Sequence, residues 1–348
     1  MIKPLPPGHN RCHLWLWSLL AITSLAVAGL FAGLLVLSRA PGISDSVPWP
    51  ENFFQKGLIT HVSLSFVVWF LAVFGALNTA IMPNNNGPSK SLIGPLMERS
   101  AILLFIIGIV AILIPAFLND GTPSLNNYIP VIISPLYYWG LLAIALGILI
   151  LVIRVLTNLN ALIDSVAEEY PLILGACILY VTAFVAVGIS ADQLQGQTND
   201  YNYNEGLFWG SGHILQNLNM VLFLFSSSIL YKLAFNTPMA PKVYYLWISG
   251  MLVVLGLIGL SFYGIYTVGE PGHYSAFTKL KYALGIPVFL ILAVMISGLW
   301  NKRKKISWKD PATLSLASAL LIFGIGTILG LFVDGYDTRT PAHYHGVI

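Results

Sequence analysis

The residues best suited to chemistry in this sequence are its histidines. There are seven, namely His9, His13, His61, His213, His273, His343 and His345. A neutral imidazole is the commonest protein ligand for a metal ion, and it also exchanges protons near neutral pH. The last two form a His-x-His motif, and residues two apart on a helix point about 200° apart around its axis. We therefore expect His343 and His345 to serve two different sites.

The composition limits every other kind of chemistry. Of the 348 residues, 57% are hydrophobic and only 9% are charged, against about 25% charged residues in soluble domains. This excludes a soluble enzyme, and a net charge of +3 that is spread between apolar runs makes nucleic acid an unexpected partner. Cys12 and Cys177 are too few and too far apart for a disulfide framework or an iron–sulfur cluster. Any metal must rely on ligands other than thiolates.

Long apolar stretches must position these histidines. Nine stretches lack charged residues and are long enough, or nearly so, to cross about 30 Å of hydrocarbon. They run over His13–Ser38, Leu58–Met82, Ala101–Asn119, Ile129–Ile153, Tyr170–Ala191, Gly206–Tyr231, Val243–Gly269, Tyr282–Leu299 and Pro311–Val333. The first is too long for a cleaved signal peptide, so it is interpreted as a retained helix. The sequence predicts an all-α polytopic membrane bundle of about nine helices, forming a single domain over residues 1–348.

The loops indicate how this bundle lies in the membrane. Lys and Arg are concentrated on the side of the N-terminus, which predicts a cytoplasmic N-terminus. Residues 334–348 then lie on the outer side, where Pro341 suits the first turn of a tenth helix. His61 and His213 lie about 5 and 11 Å below the outer ends of their predicted spans, so they approach the level of His343 and His345. An intramembrane histidine must be paired, solvated or coordinated, and hydrogen bonds between helices are the alternative to metal binding.

The sequence around these histidines resembles the haem–copper oxidase superfamily in its catalytic subunit, cytochrome c oxidase subunit I. The similar motifs are THVSLSF around His61, FWGSGHILQN around His213 and PAHYHGVI around the last pair. The resemblance implies that His61 and His345 ligate a low-spin haem and that His343 ligates a high-spin haem. It also implies that His213 faces that haem as a ligand of copper or, in nitric oxide reductases, of non-haem iron. The chain would then be an oxidoreductase subunit that passes electrons to a haem binding O2 or NO.

The same resemblance implies partners and a location. We expect other oxidase-complex subunits, including a cytochrome c or copper-bearing electron donor, and a bacterial inner (cytoplasmic) membrane. The family has twelve helices, which leaves two alternatives for this chain. It is either a split or truncated gene product, or a subunit completed by a further polypeptide that supplies helices ten to twelve.

The sequence departs from the family pattern in its seventh span. The family has two adjacent metal-binding histidines there, whereas the segment SFYGIYTVGEPGH places Tyr263 and Gly264 at those positions. Gly264 has no ligating side chain, and His213 alone does not make a firm copper or iron site, because such sites generally need three or more protein ligands. We therefore expect no stably held copper, which argues against ordinary oxygen reduction.

Two further positions bear on this departure. Many family members have a redox tyrosine four residues after the histidine of helix six, where this chain has Asn217. Tyr263 is the candidate replacement, with simple packing as the alternative. His273 follows Pro271 in the predicted outer loop, where a surface histidine is favoured over a ligand that folds back.

Two other functions remain open at the level of sequence. One is a haem-free transporter or assembly scaffold, in which the histidines only join helices. The other is a haem-based gas sensor or electron carrier without turnover.

Overall fold

The structure is a computed structural model that describes residues 9–82, 93–330, 332, 343 and 345–347. Most of these residues are helical. The helices are α1 (His9–Leu37), α2 (Phe53–Ile81), α3 (Ile93–Leu113), α4 (Pro135–Leu156), α5 (Leu159–Ser165), α6 (Tyr170–Gln193), α7 (Tyr201–Phe235), α8 (Lys242–Ser261), α9 (Pro271–Ala283), α10 (Gly285–Asn301) and α11 (Pro311–Gly330). Short 3-10 turns extend α3 to Phe117 and α8 to Gly264. His343 and the residues 345–347 are also helical, whereas the predicted helix start at Pro341 lies outside the described residues.

The described residues form nine helical spans that are long and apolar enough to cross a membrane. The prediction of an all-α polytopic membrane bundle is therefore confirmed. Hydrocarbon offers no hydrogen bonds to the backbone, so a spanning segment must satisfy its own amides as a helix. The orientation of the bundle stays a prediction.

The predicted start of the fourth span was wrong. Residues Val131–Ile133 form a strand that pairs antiparallel with Thr122–Ser124, and α4 begins only at Pro135. Proline suits the first turn of a helix because its missing N–H has no helical partner there. The apolar residues before Pro135 therefore belong to a short hairpin on the predicted outer side, called the outer hairpin below.

The eighth span is longer than predicted and is broken. Its two parts, α9 and α10, meet at Leu284. Pro287 follows closely, and because proline lacks an N–H it cannot donate to the carbonyl four residues earlier. Residues Pro271–Lys281, which the sequence analysis assigned to an outer loop, are therefore helical.

The sixth span also begins earlier than predicted. The α7 helix starts at Tyr201 because the Asp200 carboxylate accepts a hydrogen bond from the Tyr203 amide at 3.0 Å, which caps the helix. Its 35 residues end at Phe235. It packs against α6, α8 and α11, so it lies centrally in the second half of the bundle.

A buried ionic cluster ties the predicted inner ends of α1, α3 and α4 together. The Glu98 carboxylate accepts a hydrogen bond from Arg154 at 2.7 Å and lies 3.4 Å from Nδ1 of His13. The side chains of Glu98 and Arg154 are 1% and 9% exposed. Charges buried to this extent need such partners, because each one alone would lose its hydration.

Candidate functional site

His61 lies in α2 and is oriented by the neighbouring helix α1. Its Nδ1 atom lies 2.8 Å from the carbonyl oxygen of Ala28. A carbonyl can only accept, so Nδ1 carries the proton, and in the neutral ring the lone pair is on Nε2. A metal-binding histidine almost always donates its other ring N–H to such an oxygen. The arrangement fits an imidazole that binds iron through Nε2.

The backbone changes just after His61. Residues Ser63–Val68 form a π-helical stretch within α2. Single π-helical turns of this kind occur frequently at functional sites, because they widen the helix locally and redirect side chains. Phe66 lies in this stretch, and its ring meets the ring of His345 edge-on at 5.2 Å. The structure therefore places His345 against the same helix that carries His61.

His343 rests on α11. Its Nδ1 atom lies 2.7 Å from the carbonyl oxygen of Gly326, which again puts the proton on Nδ1 and the lone pair of the neutral ring on Nε2. Its ring packs on Gly330, where a Cβ would approach the imidazole to 2.6 Å. A larger residue than glycine at position 330 would therefore collide with His343.

The segment that carries the two histidines is held by three helices. A Cβ at Gly326 would lie 2.6 Å from the backbone of Gly346, so the segment packs closely on α11. The Asn219 side chain of α7 donates a hydrogen bond to the carbonyl of Val347 at 3.0 Å. With the contact between Phe66 and His345, these interactions fix the segment between α2, α7 and α11.

His213 lies in α7, and the structure gives it a partner that the sequence analysis missed. Its Nδ1 atom lies 2.8 Å from the Trp209 carbonyl oxygen, so Nδ1 carries the proton. Its Nε2 atom lies 2.9 Å from the hydroxyl of Tyr128. The phenol must therefore donate to the lone pair of Nε2. His213 is 6% exposed, so water cannot easily replace this bond.

Tyr128 belongs to the loop of the outer hairpin. Its φ is 64°, a left-handed conformation that is uncommon for a bulky residue. The Glu205 carboxylate holds the loop by accepting from the amide and the side chain of Asn127 at 2.7 and 2.6 Å. A Cβ at Gly212 would lie 2.3 Å from the Tyr128 ring, so only glycine allows this approach. The Asn126–Asn127 pair is typical of a turn, but no feature of the sequence links that turn to α7.

Tyr263 lies near His213 within an aromatic cluster. The Phe277 ring contacts both His213 and Tyr263, at 5.3 and 6.0 Å between ring centres. The hydroxyl of Tyr263 accepts a hydrogen bond from Ser190 at 3.2 Å. Tyr263 thus lies in the 3-10 turn that follows α8, on the same side of the bundle as His213.

The interpretation of His273 as a surface residue was wrong. It lies in the first turn of α9 with 0% exposure, and its ring contacts Tyr263 and Phe277 at 5.1 Å. Neither of its ring nitrogens has a hydrogen-bond partner. The charges at Lys279 and Lys281 concealed this helix in the sequence, because a charged segment that follows an apolar span resembles a loop.

The residues near His213 do not fit a copper or non-haem iron centre. Such a centre generally needs three or more protein ligands, and the described residues contain no group of three His, Cys, Asp or Glu side chains that could hold a metal. The one imidazole that the resemblance assigns to it already shares its Nε2 lone pair with Tyr128. The donor set at His61 and His343, by contrast, fits haem iron.

Comparisons with known proteins find similarity over nearly the whole chain. A family model described as "Cytochrome C and Quinol oxidase polypeptide I" matches residues 14–346. An uncharacterized protein of Aquifex aeolicus (strain VF5) is 26% identical over 96% of this chain and 80% of its own length. An uncharacterized protein of Rickettsia prowazekii (strain Madrid E) is also 26% identical, over 98% of this chain and 76% of its own length.

No solved structure gives a significant match. The family model covers nearly the whole chain, including the segments that carry His61, His213 and His345. The chain therefore belongs to the cytochrome c and quinol oxidase polypeptide I family, as an integral membrane, haem–copper oxidase-like subunit.

Proposed function

We propose that this chain holds two haems and passes electrons from one to the other. His61 and His345 would be the axial ligands of a low-spin haem, and His343 would be the single protein ligand of a high-spin haem. Iron with two imidazole ligands exchanges electrons, whereas iron with one leaves a position open for O2 or NO.

The proposal rests on one observation, the hydrogen bonds that His61 and His343 make through Nδ1. Each donates its Nδ1 proton to a backbone carbonyl of a neighbouring helix, Ala28 in one case and Gly326 in the other. Such a bond fixes the ring orientation and raises the basicity of Nε2. In both residues the neutral ring then has its lone pair on Nε2, the atom through which it would bind a haem iron.

The chain's own residues would do the positioning. The α11 backbone orients His343 and supports its ring at Gly330, and Asn219 anchors the same segment to α7. Phe66 supports the ring of His345 beside α2. These contacts hold the two imidazoles of the segment toward different elements, which suits one ligand for each of two haems.

The test is an optical spectrum of the purified protein, oxidised and then reduced with dithionite. We expect a sharp low-spin band and a broader component that shifts with carbon monoxide, at two haems per chain. A protein purified from haem-replete cells without haem absorption would refute the proposal and would favour a transporter or an assembly scaffold.

Membership of the family supports a setting for this function. We propose that the chain works with other oxidase subunits in a bacterial inner membrane and receives electrons from a cytochrome c or copper-bearing donor. Pull-down of the tagged chain from its native membrane, followed by haem staining of the bound proteins, would identify such a donor.

One observation favours a second candidate, a haem-based gas sensor or electron carrier without turnover. The Tyr128 hydroxyl engages the His213 nitrogen that a second metal would need, so a gas on the high-spin haem would face no second metal. Consumption of O2 and of NO by the reduced protein, measured with an electrode, separates the two. Binding of the gas without consumption would identify the sensor or carrier.

A further inference from the structure

The pair formed by Tyr128 and His213 has a defined direction of hydrogen bonding. The Nδ1 proton of His213 points to the Trp209 carbonyl, so the only acceptor on the ring is the Nε2 lone pair. The Tyr128 hydroxyl donates to that lone pair at 2.9 Å. The same lone pair is the one that His213 would give to a metal ion.

The other contacts of the hairpin loop hold the Tyr128 side chain in this position. Tyr128 has a left-handed backbone, a conformation that costs a non-glycine residue of this size energy and that persists only when its surroundings enforce it. The enforcing contacts are the two hydrogen bonds from Asn127 to Glu205 and the close approach of the Tyr128 ring to Gly212. The ring also packs on Trp209 edge-on at 5.5 Å. Two contacts of the Tyr128 ring and two hydrogen bonds of the neighbouring Asn127 therefore hold this tyrosine in place.

We propose that Tyr128 is a built-in cap on His213 that takes the place of a metal ion. The phenol occupies the Nε2 lone pair, and the hairpin loop keeps it there. His213 then acts as a hydrogen-bonded partner of a tyrosine in the outer half of the bundle, not as a metal ligand. This inference does not depend on whether haem is bound.

The test compares the access of a metal ion to His213 with and without the phenol. The full chain, labelled with 15N-histidine in lipid bilayers, is titrated with Cu2+, whose unpaired electron broadens the resonances of any imidazole that it approaches. In the wild type the His213 signal should broaden only at high Cu2+. In Tyr128→Phe it should broaden at about tenfold lower Cu2+, because one hydrogen bond to the lone pair no longer competes.

Two further variants keep the test independent of a folding defect. Gly212→Ala pushes the Tyr128 ring away without removing its hydroxyl, and it should also expose His213. Tyr138→Phe is the matched control, because its hydroxyl bonds to Asn204 and Asn199 of the same outer region and not to a histidine. It should leave the His213 signal unchanged.

Equal broadening of His213 in the wild type and in both cap variants would overturn the proposal, as would a sharp signal in all three. The haem spectrum of each sample is recorded in parallel. Loss of haem absorption with the expected Cu2+ response would refute the proposed function and leave the cap intact.

Discussion

The Nδ1 atom of His61 lies 2.8 Å from the carbonyl oxygen of Ala28, on the helix next to its own. This bond sets the tautomer of His61 and turns Nε2 away from α1. The ring of His345 contacts Phe66, which lies on the same helix as His61. The α2 helix therefore carries His61 and packs against His345.

We expect His61→Ala to remove about one haem per chain, together with the sharp low-spin reduced band, since haem needs its axial imidazole. Haem count and the reduced spectrum measure the loss. His273→Phe is the control, because His273 is equally intramembrane but lies in the aromatic cluster beside Tyr263. An unchanged spectrum in His61→Ala would contradict the assignment of the low-spin haem.

Gly330→Ala should displace His343, because the new Cβ would lie 2.6 Å from its imidazole. The expected result is loss of the component that shifts with carbon monoxide, with the low-spin band retained. Gly324→Ala lies on the same helix and has no atom within 4 Å of the added Cβ, so it is the matched control. Equal carbon monoxide shifts in the two variants would show that Gly330 does not support a haem ligand.

Asn219→Leu should weaken the hold on the histidine segment, because the bond from Asn219 to the Val347 carbonyl is lost. A hydrogen bond of this kind contributes about 1 kcal/mol, so haem should leave about fivefold faster. Transfer of haem to excess apomyoglobin measures that rate. Thr327→Val is the control, because the Thr327 hydroxyl bonds only within its own helix, and its rate should equal that of the wild type.

Arg154→Leu should destabilise the protein by about 3–5 kcal/mol, because it leaves the Glu98 carboxylate buried without its main partner. The double variant Arg154→Leu with Glu98→Leu should be more stable than the single one, since no unpaired charge remains. Unfolding in mixed detergent micelles measures both. A double variant less stable than Arg154→Leu would show that the ion pair is not the source of the effect.

Asp310 should make the stability of α11 depend on pH. The hydroxyl and the amide of Thr313 donate to its carboxylate at 2.8 Å, and these bonds lower the pKa of Asp310 below its usual value. A carboxylate with a lowered folded pKa contributes stability above the unfolded pKa of about 3.9 and loses it as the pH falls through the folded value. Thermal unfolding of the wild type should therefore show this loss on acidification, whereas Asp310→Asn, which keeps an acceptor but no charge, should lack this component.

The sequence by itself determined the class of fold and the main haem candidates. Nine apolar stretches predict nine helices because hydrocarbon leaves the backbone no other way to satisfy its hydrogen bonds. The two-residue spacing of His343 and His345 predicts that their rings face different elements, since each helical residue turns about 100°. In the structure one ring contacts α11 and the other contacts α2.

The tertiary structure alone decided which histidine nitrogens form hydrogen bonds and with which partners. The Tyr128 hydroxyl meets His213 across 85 residues of sequence, through a hairpin that the apolar run beginning at Ile129 concealed. The burial of His273 likewise depends on a broken helix whose charged outer half looks like a loop. Periodicity and hydropathy indicate which segments can lie in the lipid bilayer. The hydrogen-bond partner of a given imidazole nitrogen depends instead on which distant segments pack together, and close packing is possible where glycine allows two backbones to approach.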